Sequence, residues 1–312
     1  MTLIIAGHNL EEDFYPTPIN TDSSKMRTNG IFVLADSSIT SPSSRGEKVI
    51  LGGFRKIYPI PIKIWKPYFN GLYFRNYLDT YYESECFVAI AGSTLTAQHT
   101  LNSIVTHLSE IRISYKRSKK LLEPGEYIIQ RHCQANELEQ GAGVDTWDED
   151  MFTEDDYKDI INADAIVNII EHSINDSLNS ARKYKISEED FKAMQTDFAV
   201  GLYCPKNKNH RLFTFTMKTK TNLEGFLEVF AEKNEIEGDD IAVLGMRSRF
   251  EKPAKDLLRQ LISQRKSPAA HLFDFLNSAI DTVKSEGNFS IDRPSVHKTL
   301  INGKLELVQF VK

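Results

Sequence analysis

The sequence predicts an α+β fold in which helix, sheet, sheet and helix layers stack as a sandwich, with predominantly antiparallel sheets. Three features lead there. The amino-terminal third carries short apolar runs rich in β-branched residues; from Thr94 the apolar residues recur at three- and four-residue spacing; and the chain closes on two apolar segments joined by Asn302-Gly303, a strong hairpin turn. Strands and helices come in groups rather than in strict alternation, which suits such layers better than a doubly wound sheet.

Taken in order, residues 3–6 and 31–36 read as strands, separated by a polar stretch with two prolines and Asn29-Gly30. The connection over residues 8–29 is long. Further strands fit residues 54–60 and 86–91, with aromatic, proline-broken sequence between them. Leu95, Leu101, Ile104, Val105, Leu108 and Ile111 then form the apolar stripe of one long helix. Residues 116–156 are charged and heterogeneous, with Pro124-Gly125 and an acidic cluster over 145–150, and read as an insertion or mobile excursion. A second helix fits 155–185, on the stripe of Ile160, Ile161, Ala165, Ile166, Ile169 and Ile170. Strands resume at 198–203 and 212–217, flanking a Lys- and Asn-rich turn, and at 226–230 and 241–244. Helices are expected at 253–264 and 268–283, each with proline in its first turn, before closing strands at 296–301 and 305–311. No internal repeat divides the chain, so residues 1–312 read as one elaborated domain.

Composition narrows the function classes. With 38 basic and 43 acidic residues the net charge is -5, which gives no global field for nucleic acid or acidic lipid. Cys86, Cys133 and Cys204 are an odd count without C-x-x-C spacing, which argues against a disulfide framework and for a reducing compartment. The apolar run at the start is too short for a signal peptide or membrane span, so a cytoplasmic location is expected. His132-Cys133 lacks a second ligand pair for zinc, Gly141-Ala-Gly143 lacks a third glycine and a preceding strand, and Asp148-x-Asp150 lacks the rest of a calcium loop. No cofactor or metal is expected.

Thr2 stands directly behind Met1. A residue this small ordinarily lets the initiator methionine be trimmed, which exposes a free α-amine two bonds from a hydroxyl. That is a nucleophile and its base in one residue.

Three segments join Thr2. They are Gly30-Ile-Phe-Val-Leu-Ala-Asp36-Ser-Ser-Ile-Thr40, Phe54-Arg-Lys56-Ile-Tyr-Pro-Ile60 and Val88-Ala-Ile-Ala91-Gly92-Ser93. Alone, Asp36 reads as a turn cap, Lys56 as a solvated charge and Gly92 as a bend before a helix. Together, in this order, the segments resemble the successive strands of proteasome β-type subunits and of the bacterial HslV and Anbu peptidases, which also begin with Thr after Met. The match covers roughly the first 110 residues and places the chain among the N-terminal nucleophile hydrolases.

That resemblance implies a four-layer αββα sandwich and an acyl-transfer site. Thr2 would attack the carbonyl, Lys56 would favour the alkoxide and a neutral amine, Asp36 would anchor Lys56 and the amine, and the Gly92 N–H would meet the oxyanion. It further implies cleavage of amide bonds, peptide or protein substrates, self-association, and an ATP-driven unfoldase by analogy. Three departures stand out. Residues 8–29 replace a tight turn and would overhang the site. Gly245-Met246-Arg247-Ser248 stands where the family has Gly-Ser-Gly, so the serine that supports the Thr amine is replaced by Met246 or displaced to Ser248. Near residues 284–290 only Glu286 and Ser290 offer themselves for an expected Asp and Ser. The alternative is a noncatalytic subunit of the same fold, acting as scaffold or binding module.

Overall fold

The computed structural model describes residues 2–10, 28–43, 46–120, 123–182 and 184–312. Strand β1 (Leu3–Leu10) leads to β2 (Thr28–Ala35), then to a small hairpin of β3 (Ile39–Ser43) and β4 (Gly46–Leu51). A much longer hairpin follows, β5 (Ile57–Asn70) and β6 (Tyr73–Gly92), ahead of α1 (Thr94–Ser109). Next come β7 (Ile111–Lys116), β8 (Glu126–Arg131), α2 (Glu137–Gln140), α3 (Glu154–Tyr157), α4 (Ala163–Arg182) and α5 (Glu188–Met194). The remaining elements are β9 (Thr196–Cys204), β10 (Asn209–Thr221), β11 (Leu227–Ile236), β12 (Ile241–Gly245), α6 (Arg247–Ser263), α7 (Pro268–Ser285), β13 (Ser295–Ile301) and β14 (Lys304–Val311).

The fold is α+β with mostly antiparallel sheets. One sheet runs β12-β1-β2-β13-β14 and a larger one β11-β10-β9-β6-β5-β7-β8. The β5–β7 pairing is parallel. Because strand side chains alternate, β1 serves two cores at once. Leu3 and Ile5 pack with Phe32, Leu34 and the apolar faces of α6 and α7, whereas Ile4 and Ala6 pack with Val33, Phe87, Ala89 and Ala199. A third cluster joins Val88, Ile90 and Phe198 to Leu101 and Ile104 of α1 and to Ile166 and Ile170 of α4. Burying this many large apolar side chains, at roughly 1.5–3 kcal/mol each, drives the collapse.

Several expectations need correction. The strands expected at 54–60 and 86–91 are far longer, because the aromatic, proline-broken sequence between them is the body of the β5–β6 hairpin. Pro59 and Pro61 lie two apart, so their missing donors face one edge, and β7 pairs with β5 only at Ile64 and Trp65. Ile111 begins β7 instead of ending the helix. The helix expected over 155–185 is divided: α3 is a single turn closed by a Thr153–Asp156 capping box, and α4 starts at Ala163. Pro253 is not in a first turn, because α6 begins at Arg247; its ring sits inside the helix and forgoes one bond to the fourth residue before it. The 116–156 segment is folded, in its described residues, instead of a mobile excursion. Within it β8 extends the large sheet, and Trp147 and Leu138 bury against Phe74 of β6. The long connection expected over 8–29 falls mostly on residues 11–27, outside the described ones.

Candidate active site

Thr2 is placed by backbone before any side chain acts. Its carbonyl accepts the Met246 N–H at 2.9 Å, and the next residue, Leu3, pairs with Gly245 across β1 and β12. Gly245 has φ +86°, and a Cβ there would overlap the Thr2 carbonyl oxygen, so only glycine allows the approach. β1 and β2 hold Asp36 beside it: the Asp36 N–H donates to the Leu3 carbonyl at 3.3 Å, and Leu3 N–H donates back to Asp36 Oδ1 at 2.9 Å. Ser38 N–H donates to Oδ2 at 3.0 Å.

Lys56 enters from the residue before β5. Its ammonium donates to both Asp36 oxygens, at 2.8 and 2.9 Å, and to Thr2 Oγ1 at 2.9 Å. Asp36 is 1% exposed and Lys56 4%, so the pair is desolvated and its geometry is held by four charge-assisted contacts to the carboxylate. Burial pulls the Lys56 pKa below the usual lysine value, and Asp36 opposes that pull. A neutral Asp36 or an absent one would leave the cation stranded.

Thr2, Lys56, Gly92 and Gly245 line one cavity of about 600 Å³. Gly92 is the last residue of β6, with φ +128°; a Cβ would run into the Gln195 backbone, where Ser93 N–H already donates to the Gln195 carbonyl at 2.9 Å. The tight crossing of β6 and β9 therefore requires glycine at the cavity wall.

The structure thus brings Thr2, Asp36, Lys56 and Gly92 together. Ser248 lies exposed in the first turn of α6 and does not line the cavity. Met246 buries its side chain in the core under α6 and α7 and offers its backbone N–H to Thr2. Glu286 pairs with Arg249 at the surface. Ser290 is fully buried, and its Oγ has no hydrogen-bond partner among the described residues.

Asp197 is a wall residue that sequence reasoning missed. It faces Ala91 across β6 and β9 and lines the same cavity. Its Oδ1 has no hydrogen-bond partner among the described residues, and Arg247 stands 4.0 Å from Oδ2. Burial raises its pKa, with Arg247 opposing. Nothing local marks it, since Thr-Asp-Phe opens an ordinary, largely apolar strand. Among the described residues no three His, Cys, Asp or Glu side chains gather to hold a metal ion, and no helix is long and apolar enough to cross a membrane.

No protein-family model and no curated protein matches this chain. Among solved structures it is similar to an Anbu (Gly-1) mutant from Hyphomicrobium sp. strain MC1, at 12% identity over 100% of this chain and 86% of that one, with a TM-score of 0.47. It is similar also to Anbu (ancestral beta-subunit) from Yersinia bercovieri, at 13% identity over 96% and 80% of the two chains, with a TM-score of 0.43. These structural neighbours are Anbu proteins, one of the groups that the segments around Asp36, Lys56 and Gly92 resemble.

Proposed function

We propose that this chain is a proteasome-fold hydrolase that cleaves amide bonds, those of peptides or proteins, with the Thr2 hydroxyl as nucleophile. Residues 1–312 form one domain in this reading, a four-layer sandwich supported by the three apolar clusters that lie helix to sheet, sheet to sheet and sheet to helix. The observation that carries the catalytic reading is the position of the Lys56 ammonium, in hydrogen-bond contact with both Thr2 Oγ1 and Asp36.

Cleavage of the bond before Thr2 frees its α-amine, whose unperturbed pKa of about 7.7–8.0 leaves part of it neutral near physiological pH. That amine, directly or through a water, takes the hydroxyl proton as Oγ1 bonds to the substrate carbonyl carbon. Lys56 stabilises the alkoxide, and Asp36 keeps Lys56 charged and aimed. The carbonyl oxygen becomes an oxyanion beside the Gly92 N–H. The carbon–nitrogen bond then breaks, the leaving amine takes the proton, and an ester on Thr2 remains until water, deprotonated by the same amine, releases the acid. Assembly with further copies and a cytoplasmic setting belong to the same proposal, as does an ATP-driven unfoldase by analogy.

Intact-mass measurement with and without a threonine-directed epoxyketone tests this. The expected result is a chain beginning at Thr2 that gains one adduct. A chain that keeps Met1 and takes none overturns it.

A noncatalytic subunit of the same fold is the second reading, and Met246 is the observation that favours it. Where a hydroxyl would support the amine, this chain buries a thioether in the core. The same mass measurement separates the two.

A further inference from the structure

Outside the residues that line the Thr2 cavity, the turn that follows β8 brings a thiol to an imidazole. Cys133 is exposed, and its Sγ lies 3.6 Å from Nε2 of His107, a buried residue of α1. His107 Nδ1 is in turn 2.7 Å from Ser173 Oγ on α4.

The hydrogen-bond donors along this chain of contacts define the tautomer. Ser173 has one hydroxyl hydrogen, and it is given to the Ile169 carbonyl at 2.7 Å. Toward His107 the same oxygen therefore accepts, so the ring hydrogen is on Nδ1. Nε2 is left with a bare lone pair, and that lone pair faces the Cys133 sulfur. Burial, then the nearby Arg131 and His132, hold the His107 pKa below the ordinary value, with Asp176 opposing, so the ring is neutral at neutral pH and its Nε2 lone pair is available to accept a proton. Around this pair stand Arg131 and His132 beside Cys133, Glu110 after α1 at 3.5 Å from His132, and His172 and Asp176 on α4. Arg131 Nη1 is buried without a hydrogen-bond partner among the described residues. An anion forming on the sulfur would therefore have the Arg131 guanidinium two residues before it in the chain.

We propose that Cys133 is a second nucleophilic site, with His107 as its base and Ser173 as the residue that orients His107, and that hydroperoxides oxidise it and soft electrophiles alkylate it at neutral pH. In the oxidation, His107 Nε2 takes the thiol proton and the sulfur bonds to one peroxide oxygen. The oxygen–oxygen bond breaks, and the departing hydroxide takes the proton back from His107 as water. Sulfur loses two electrons to the peroxide and becomes a sulfenic acid. The site does not depend on Thr2.

The test is iodoacetamide labelling of the full-length native chain, read by peptide mapping. Cys86 and Cys204 are buried, with the Cys86 pKa pushed up to about 12, so both serve as unreactive references. Native Cys133 is expected to label at least ~10-fold faster at neutral pH than the same cysteine in the urea-unfolded chain. His107→Gln should remove the acceleration, and Ser173→Ala, which keeps the imidazole but releases its tautomer, should reduce it. Hydrogen peroxide followed by dimedone should tag Cys133, while Cys133→Ser leaves adduct formation at Thr2 unchanged. A native rate at or below the unfolded one, an acceleration that survives in a folded His107→Gln or Ser173→Ala chain, or no dimedone tag on Cys133 would overturn the proposal.

Discussion

Lys56 Nζ lies 2.9 Å from Thr2 Oγ1, although 54 positions separate the two residues. Neither strand alone makes this contact. Thr2, just before β1, is fixed by the Met246 N–H that follows β12; Asp36, just after β2, supplies the carboxylate; and that carboxylate holds the lysine against the hydroxyl. In the proposed hydrolase this buried ammonium, with a carboxylate on one side and a hydroxyl on the other, stabilises the Thr2 alkoxide.

Removing the Thr2 hydroxyl should separate chemistry from folding. Thr2→Ala is expected to fold, to lose hydrolysis of fluorogenic peptides and to take no epoxyketone adduct, whereas Thr2→Ser keeps an attacking hydroxyl and still hydrolyses peptide at a reduced rate. A Thr2→Ala chain that hydrolyses peptide at the parent rate would move the nucleophile elsewhere.

Lys56→Ala should lower the hydrolysis rate by ~100-fold or more, since a positioned proton-handling or charge-stabilising group contributes about that much. It should also destabilise the fold by about 3 kcal/mol, because a buried carboxylate loses its counter-ion. The Leu3 and Ser38 N–H groups remain to hold Asp36, so the loss falls short of unfolding the domain. Urea denaturation beside peptide kinetics measures both effects; parent-rate hydrolysis by a folded Lys56→Ala chain would refute the assigned role.

Alanine at Gly245 or Gly92 tests whether the backbone crossings carry the site. Both have positive φ, and both added methyls would meet backbone, the Thr2 carbonyl in one case and the Gln195 carbonyl in the other. Each substitution should cost ~2–4 kcal/mol in chemical denaturation. A neutral result at Gly245 would mean that β12 has room to withdraw from Thr2.

His297 predicts an acid-side loss of stability. It is buried in β13 against Phe273, its Nδ1 has no hydrogen-bond partner among the described residues, and burial lowers its pKa to about 4 from 6.5. Between those values the unfolded chain binds the proton and the folded one does not. Stability therefore falls as pH drops through this window, and the His297 contribution levels off below about 4. The expected loss is on the order of 3 kcal/mol. Urea midpoints across the window should show a shallower slope in His297→Gln, and an unchanged slope would assign the loss to other groups.

Much of the architecture is legible in local pattern. The short apolar runs in residues 3–6, 31–36 and 198–203, the helical stripe from Leu101 to Leu108 and the Asn302-Gly303 turn each report a local pattern or a turn preference that needs no partner to be read. The β5–β6 hairpin was obscured because its prolines are tolerated only where no neighbour needs their N–H, which depends on how far β7 reaches. The segment over 116–156 reads as excursion because its order comes from Trp147 meeting Phe74, a contact between distant residues. Asp197 is silent for the same reason: its interest is the cavity it faces.

What the sequence determined by itself is the set of strand and helix periods and the order Thr2, Asp36, Lys56, Gly92, since side-chain alternation and residue chemistry are local properties. Tertiary structure alone decided that Lys56 points at Thr2, that Gly245 and Gly92 must lack side chains, that Ser248 stays outside the cavity, and that His107 meets Cys133. Each of these depends on the crossing of segments far apart in the chain, where approach distance and desolvation are created only when the sheets and helices pack.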